Sequence, residues 1–200
     1  MSEAAVRSRP GGRSARVRQS VLDATLTLLV ERGLDRVTVA DIAKCAGVHE
    51  TSVRRRWRTR ENLVCDALLN YSEVHLPIPD TGSLREDLAA FASELATYLT
   101  TPLGRALLHA MATIGEDPAL AEARSAFWQT RYELASAMIE RAVARGELPA
   151  TVDGRLALAA LIAPLNFRAL VTAERLDGDL PRRLADLVLD GISRGDRPQA

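Results

Sequence analysis

The twenty residues from Thr38 to Trp57, TVADIAKCAGVHETSVRRRW, limit the possible folds of this chain more than any other stretch. Thr38 followed three residues later by Asp41 predicts a capped helix start. Gly47 comes directly after the first apolar run and suits the left-handed backbone that ends a helix. The stretch therefore predicts two short helices joined by a tight turn.

The second of these helices has one apolar face and is otherwise polar and basic. Val53 and Trp57 lie four residues apart on the apolar face. The remaining positions carry His49, Glu50, Thr51, Ser52, Arg54, Arg55 and Arg56. This pattern is typical of a helix-turn-helix whose second helix enters a DNA major groove. Short helical hairpins also occur in all-α proteins that bind no DNA, so the hairpin alone leaves both interpretations open.

The distribution of charge favours the DNA-binding interpretation. The chain has 26 basic and 26 acidic residues. Residues 1–60 hold 13 Lys and Arg against 6 Asp and Glu, whereas residues 61–200 hold 13 against 20. A basic N-terminal part followed by an acidic remainder indicates one region that meets nucleic acid and another with a different task.

Helix signals recur along the whole chain, and no stretch alternates apolar and polar residues for long enough to predict a sheet. Asp153 predicts a helix start and Gly146 a helix end. Ser83 with Glu86 predicts a capping box, and Pro164 predicts a kink or a free carbonyl inside a helix. We therefore predict an all-α fold of about nine helices.

The predicted helices divide the chain into four parts. Residues 1–12 form a flexible basic arm and residues 13–58 a three-helix DNA-binding domain. Residues 59–195 form a larger helical domain for ligand binding and dimerisation, and residues 196–200 form a tail.

The sequence also excludes several classes of protein. It has no glycine-rich phosphate loop, nucleophile elbow or cluster with metal-ligand spacing, so we expect no enzyme, no metal and no cofactor. The first residues do not form a secretory signal. We expect no apolar stretch to reach the roughly 20 residues that span a bilayer. With only two cysteines, Cys45 and Cys65, we expect a cytoplasmic protein.

The order of these parts resembles the tetracycline-repressor (TetR) family of bacterial transcription regulators. The segments that carry the resemblance run from Val37-Thr38-Val39 through Ala46-Gly47-Val48 and Arg55-Arg56-Trp57 to Thr59-Arg60-Glu61-Asn62-Leu63. The phrases DPALAE, ERAVARGELP and APLNFRALVTAERLD extend it over about residues 14–193. This chain departs from the family at Arg54, where a tyrosine is usual, and at Arg60, where a lysine is common.

We sort the expected DNA contacts into those that position the protein and those that read bases. The positioning side chains are expected to be Thr38, Ser52, Arg54, Arg55 and Arg60. Base reading is expected from His49, Glu50 and Thr51, with cytosine amino groups as partners for Glu50 and thymine methyl groups for Thr51. Arg55 has an alternative role at a guanine, and Trp57 is assigned to the core.

The resemblance implies a homodimer that binds a palindromic double-stranded operator and is released by a small-molecule effector, most often as a repressor. The implied interface is the last two helices, with Leu158, Leu161, Ile162, Leu165, Leu184, Leu187 and Val188. Candidate effector residues, each of which could instead be core, are Leu95, Tyr98, Leu107, Met111, Phe127, Trp128, Arg131, Tyr132 and Phe167. The alternative is a regulator whose C-terminal domain only dimerises or docks a protein partner.

Overall fold

The computed structural model describes residues 11–113 and 118–195, and within those ranges it contains nine α-helices and no strand. This confirms the predicted all-α class. The chain forms two compact units that divide between Leu68 and Leu69. The N-terminal unit contains α1 (Gly11–Arg32), a short 3-10 turn (Leu34–Arg36), α2 (Val39–Cys45), α3 (Glu50–Trp57) and the first half of α4 (Arg60–His75).

The C-terminal unit contains the end of α4 and the remaining helices. These are α5 (Leu84–Thr100), α6 (Pro102–Thr113), α7 (Pro118–Ala144), α8 (Gly154–Phe167), a π-helical turn (Arg168–Thr172) and α9 (Leu180–Gly195). Gly11 and Gly12, which we expected in the basic arm, belong to α1. The rest of the arm, residues 1–10, and the tail, residues 196–200, lie outside the described part of the chain.

Local sequence signals place α2 and α3 as predicted. The backbone N–H of Asp41 donates to Thr38 Oγ1 at 3.1 Å, and the backbone N–H of Thr38 donates to Asp41 Oδ2 at 3.2 Å. This reciprocal capping box satisfies two backbone groups at the start of α2. Gly47 has a φ of 66°, a left-handed angle that a residue with a Cβ adopts only with strain. Gly47 therefore determines the turn between the two helices, as the sequence predicted.

The core of the C-terminal unit lies around α5, which packs along α9 and also contacts α6, α7 and α8. Fully buried side chains from four helices meet there, since an amphipathic helix buries its apolar stripe against its neighbours. They include Leu88, Met138, Leu158, Leu161, Leu165 and Ala185. The predicted helix signals at Gly146 and Asp153 are confirmed, because Gly146 has a φ of 75° and Asp153 Oδ1 accepts the N–H of Leu156.

The capping box predicted at Ser83 and Glu86 is wrong. Ser83 precedes α5, but its side chain makes no cap hydrogen bond. Instead the backbone N–H of Leu84 donates to Glu147 Oε2 at 2.8 Å, and Thr81 donates to Asp87 Oδ1. A carboxylate 63 residues away along the chain thus caps the helix in place of the local one.

Pro164 lies inside α8, which continues past it to Phe167. The ring of a proline removes one backbone donor within a helix, and from Arg168 to Thr172 the helix continues as a π-helical turn. The segment Gly154–Thr172, with a mean hydropathy of 1.4, is long and apolar enough to cross a membrane by length and composition alone. This corrects our expectation that no stretch is so apolar. Core helices pass the same test, and Leu158, Leu161 and Leu165 of this segment are buried in the core.

Candidate nucleic-acid interface and interior cavity

The inner face of α3 is held in the N-terminal unit by both apolar and polar contacts. Val53 and Trp57 are buried, which confirms that Trp57 belongs to the core. The indole Nε1 of Trp57 donates to Asp66 Oδ2 at 2.8 Å, and Arg18 Nη2 donates to Asp66 Oδ1 at 2.5 Å. The three side chains, here called the Asp66 junction, join α1, α3 and α4. Asp66 was not among the predicted residues, because its partners lie 9 and 48 residues away and no local pattern marks them.

The outer face of α3 is exposed and carries most of the predicted DNA contacts. His49 stands at the N-cap position but its side chain makes no cap bond. Thr51, Ser52, Arg54 and Arg55 are exposed along the helix. The helix of eight residues thus presents hydroxyls, an imidazole and guanidinium groups on a single rigid element. These are donor and acceptor groups of the kind that contact base edges and phosphates in a major groove.

Glu50 and Arg54 pair with each other on this face. Arg54 Nε donates to Glu50 Oε1 at 2.6 Å, an i, i+4 ion pair between two partly exposed side chains. The carboxylate that we expected to accept from cytosine and the guanidinium that we expected to meet phosphate are therefore partners in the free chain. Arg55 takes part in none of the described hydrogen bonds or ion pairs, so its guanidinium faces solvent.

The two positioning residues that we predicted outside α3 already have protein partners. Thr38 belongs to the capping box of α2, and its hydroxyl hydrogen bond to Asp41, with the backbone bond, holds the pKa of that carboxyl below its usual value. Arg60 is half-buried, pairs with Glu61 at 2.8 Å, and donates to the carbonyls of Leu34 and Val37. Arg60 thus ties the start of α4 to the turn before α2.

The C-terminal unit contains a small, partly open cavity of about 40 Å³. Its walls come from the end of α4 and from α5, α7 and α8. The lining residues are Leu76, Phe91, Leu95, Trp128, Arg131, Tyr132 and Ile162. Four of these, Leu95, Trp128, Arg131 and Tyr132, are among the predicted effector residues. The i, i+3, i+4 spacing of the last three gave the signal. Leu76 and Ile162 had no such signal, because they come from elements distant in sequence.

Arg131 is the one charged residue that lines this cavity, and its side chain is only 7% exposed. Burial lowers the pKa of its guanidinium, while Tyr98 and Glu73 act in the opposite direction. Burial also raises the pKa of Tyr98, with a smaller contribution from Tyr71, so its hydroxyl stays protonated. A buried cation without a carboxylate partner is costly in a folded protein. The cavity therefore contains a largely buried positive charge, lined by both aromatic and aliphatic side chains.

The other predicted effector residues lie outside the cavity lining. Phe127 is buried and packs edge-to-face on Trp128 at 5.4 Å between ring centroids, and Leu107 is buried in α6. Tyr98 is partly buried beside Tyr71. Phe167 is 55% exposed at the end of α8 and so does not reach an enclosed space. Met111 belongs to α6, but its side chain lies outside the described residues.

The exposed face of α8 and α9 is apolar. Leu156 is 65% exposed and Leu187 is 69% exposed. Both line an open groove of about 450 Å³ between the two helices, together with Ala160, Gly191 and Ile192. Large exposed apolar patches mark interaction surfaces in soluble proteins. Of the predicted interface residues, Leu187 and Val188 line this groove, whereas Leu158, Leu161 and Leu165 are fully buried in the core of the single chain.

Comparisons with known proteins place both units. Residues 21–67 match the family model of bacterial regulatory proteins of the tetR family, and residues 78–188 match the tetracyclin repressor-like C-terminal domain. The chain is 38% identical to the HTH-type transcriptional regulator AqdR of Rhodococcus erythropolis, over 90% of this chain and 86% of that protein.

Two further matches extend over nearly the whole chain. The DNA-binding transcriptional repressor TetR of Mycobacteroides abscessus is 30% identical, over 89% of this chain and 95% of that protein. The crystal structure of the TetR family transcription regulator SCO0332 is 29% identical, with a TM-score of 0.76, and the match covers 88% of this chain and 98% of that one.

Proposed function

Because the chain belongs to the tetR family of bacterial regulatory proteins, we propose that it represses transcription as a homodimer that a small-molecule effector releases from a palindromic operator. It is a DNA-binding transcriptional regulator and not an enzyme. Its site of action is the cytoplasm, where bacterial DNA is found.

The observation that carries the proposal is the exposed outer face of α3. The helix is fixed from behind by Val53, Trp57 and the Asp66 junction, so its outer side chains are displayed on a rigid element. We assign phosphate contacts to Ser52, Arg54 and Arg55 and base reading to His49, Glu50 and Thr51. For Thr38 and Arg60 we also propose phosphate contacts. Both side chains already have partners within the protein, so the contact would come from neighbouring backbone amides and from the exposed part of each side chain.

The dimer is proposed on the apolar face of α8 and α9. A two-fold pairing of this face with its copy would cover Leu156 and Leu187, which water surrounds in the single chain. A two-fold dimer that reads a palindrome needs its two α3 helices on successive major grooves, about 34–36 Å apart. The operator is then a palindrome, because each half-site meets the same residues.

The effector is proposed to bind in the cavity around Arg131. A ligand releases DNA only if it binds more tightly to the conformation that fits the operator poorly. The apolar and aromatic walls and the buried charge are features of ligand sites, which are mostly apolar with a few oriented polar groups. The relative from M. abscessus is named a repressor, which supports repression here.

The alternative is a regulator whose C-terminal unit only dimerises or docks a protein partner. The exposed α8–α9 face supports this alternative equally well, because it needs no ligand. A thermal-shift screen separates the two proposals. Compounds that raise the melting temperature and also release DNA support the effector-responsive repressor, whereas stabilisation by none of them supports the alternative.

DNA binding is tested with a fluorescent duplex that carries the region upstream of this protein's own gene, across a salt series. We expect tight binding and a steep salt dependence in the wild type. Arg54→Ala/Arg55→Ala should weaken binding about 100-fold and flatten the slope, since each lost phosphate contact removes roughly 0.9 from it.

Arg105→Ala/Arg175→Ala is the matched control, because both residues are exposed in the C-terminal unit. This control should bind like the wild type. Equal binding by the α3 variant and the wild type would show that α3 does not read DNA.

A further inference from the structure

The cavity around Arg131 lacks a partner for its charge. Among the described residues, none of the ion pairs within 4.0 Å involves the Arg131 guanidinium. Glu73 influences it only at longer range, from an exposed position on α4. A guanidinium has five N–H donors in a fixed fork that matches a carboxylate. The cavity therefore presents unused donor capacity next to the rings of Phe91, Trp128 and Tyr132.

Arg131 makes a hydrogen bond to the backbone at the end of α4. Arg131 Nη2 donates to the backbone carbonyl of Leu76 at 3.3 Å, a long hydrogen bond. Leu76 directly follows α4, and its own N–H donates to the Ser72 carbonyl in the last turn of that helix at 2.8 Å. Leu76 and Arg131 line the same cavity. A molecule that enters the cavity therefore meets the guanidinium and the carbonyl together.

We propose that Arg131 anchors an aromatic carboxylate, and that it gives up the Leu76 carbonyl in doing so. A carboxylate accepts two short, charge-assisted hydrogen bonds from a guanidinium, and these are about twice as strong as a bond to a neutral acceptor. The exchange frees the end of α4 from α7. This inference rests on the proposed effector-responsive function and names both the chemical class of the effector and the contact that it replaces.

The size of the cavity explains why binding must change the conformation. Its volume of about 40 Å³ is well below the roughly 150 Å³ of a cavity that holds a benzene ring. An aromatic acid fits only if a wall moves. Trp128 is a half-buried member of the aromatic wall, and its ring also contacts those of Phe127 and Tyr132. Its displacement opens the cavity next to Arg131.

The test uses Trp128 as its own reporter. The chain has two tryptophans, so Trp57→Phe leaves Trp128 alone. In that background we would titrate benzoate, 3-phenylpropionate and 5-phenylpentanoate, each against its neutral carboxamide, and follow Trp128 emission without DNA. We expect at least one of the acids to bind, with about tenfold preference over its amide. Arg131→Gln should reduce that preference to about one, and Arg131→Lys should keep part of it.

Arg155→Gln is the matched control. The guanidinium carbon of Arg155 lies 4.9 Å from the centroid of the Tyr132 ring. Arg155 is exposed and is not among the residues that line the cavity. The control should keep the full carboxylate preference. Equal affinity for acid and amide in the wild type, an unchanged preference in Arg131→Gln, or no response to any of the six compounds would each overturn the proposed ligand class.

Hydrogen exchange tests the second half of the proposal. In the wild type, a bound acid should accelerate amide exchange in the last turn of α4, residues 72–76, because Arg131 no longer holds the Leu76 carbonyl. Arg131→Gln should exchange fast in that turn with or without the acid, and Arg155→Gln should behave like the wild type. Slow exchange there in the acid-bound wild type would contradict the exchange of partners.

These results are separate from the test of the proposed function. If a neutral compound released DNA while no acid engaged Arg131, the effector-responsive repressor would stand and the ligand class would fall. If the acids bound at Arg131 but the protein did not bind DNA, the ligand class would stand and the effector-responsive repressor would fall.

Discussion

Two exposed helical surfaces of this chain differ in chemistry. The outer face of α3 carries hydroxyl, imidazole, carboxylate and guanidinium groups, whereas the groove between α8 and α9 exposes the side chains of Leu156 and Leu187. Water solvates the first set well and the second poorly. The polar face therefore suits a charged, hydrated partner such as DNA, and the apolar face suits one that removes it from water, such as a second copy. Both surfaces belong to α-helices, so the difference in the expected partner follows from the residue types alone.

The strongest way to break this comparison is to make the apolar face polar. Leu187→Glu would place a charge at the centre of the proposed dimer interface, where an unpaired carboxylate is costly. We expect a monomer and a loss of operator affinity of about 100-fold or more, since a single α3 reads only one half-site. Sedimentation velocity measures the first effect and duplex titration the second.

Val74→Glu is the control for oligomeric state. Val74 is also a large exposed apolar residue, at 70% exposure, but it lies on α4 away from the α8–α9 groove. This variant should remain a dimer. A dimeric Leu187→Glu protein would move the proposed interface elsewhere.

The rigidity of the polar face is tested at the Asp66 junction. Asp66→Asn removes the charge that Arg18 and Trp57 share. Hydrogen bonds to charged groups contribute about 1.5–3 kcal/mol when buried. Because both members of the Arg18–Asp66 pair are 30% exposed, we expect a smaller fall of about 1 kcal/mol in the free energy of unfolding, with weaker operator binding.

Asp177→Asn provides the comparison in chemical denaturation. Asp177 pairs with Arg175 at the surface, and both side chains are largely exposed. Its substitution should leave unfolding unchanged. A similar lack of effect at Asp66 would mean that Val53 and Trp57 position α3 through apolar packing alone.

A smaller effect is expected from Glu50→Gln, which releases Arg54 from its ion pair. The free guanidinium should bind any duplex more tightly, by a few-fold, and steepen the salt dependence by about one for each Arg54. The preference for the operator over a scrambled duplex should fall. If Glu50→Gln raised operator affinity and preference together, Glu50 would have no part in reading bases.

The smallest effect concerns pH. Hydrogen bonds from Thr38 lower the pKa of Asp41 below its ordinary value of 3.8. The cap therefore contributes fully above that ordinary value, and its contribution is lost as the pH falls through the lowered value in the folded protein. Thr38→Ala, a change that typically costs about 1 kcal/mol at an N-cap, should lower the melting temperature at pH 6 and make less difference at pH 3. An equal difference at both pH values would contradict this role.

The contrast between local and distant contacts also decides what the sequence could predict. Four predictions of helix ends were correct, because each concerns a residue that acts on backbone only a few positions away: Thr38, Gly47, Gly146 and Asp153. The prediction at Ser83 was wrong, because the carboxylate of Glu147, in the loop after α7, caps the start of α5 instead. At the candidate site, the exposed side chains of α3 follow from helical spacing. The bond from Arg131 to Leu76 spans 55 residues and has no local signature.

The Glu50–Arg54 pair also bears on how such a protein searches a chromosome. Non-specific DNA binding draws on the release of counterions by basic side chains. Arg54 is paired with Glu50 of the same helix. We therefore expect Arg54 to release no counterion until the Glu50 carboxylate accepts a hydrogen bond from another donor. Random sequences offer that donor only occasionally, so we expect the chain to leave them quickly and to slide or hop onward. The pair thus shortens the dwell time on wrong sequences and leaves the longest residence for the site where Glu50 and Arg54 each find a separate partner.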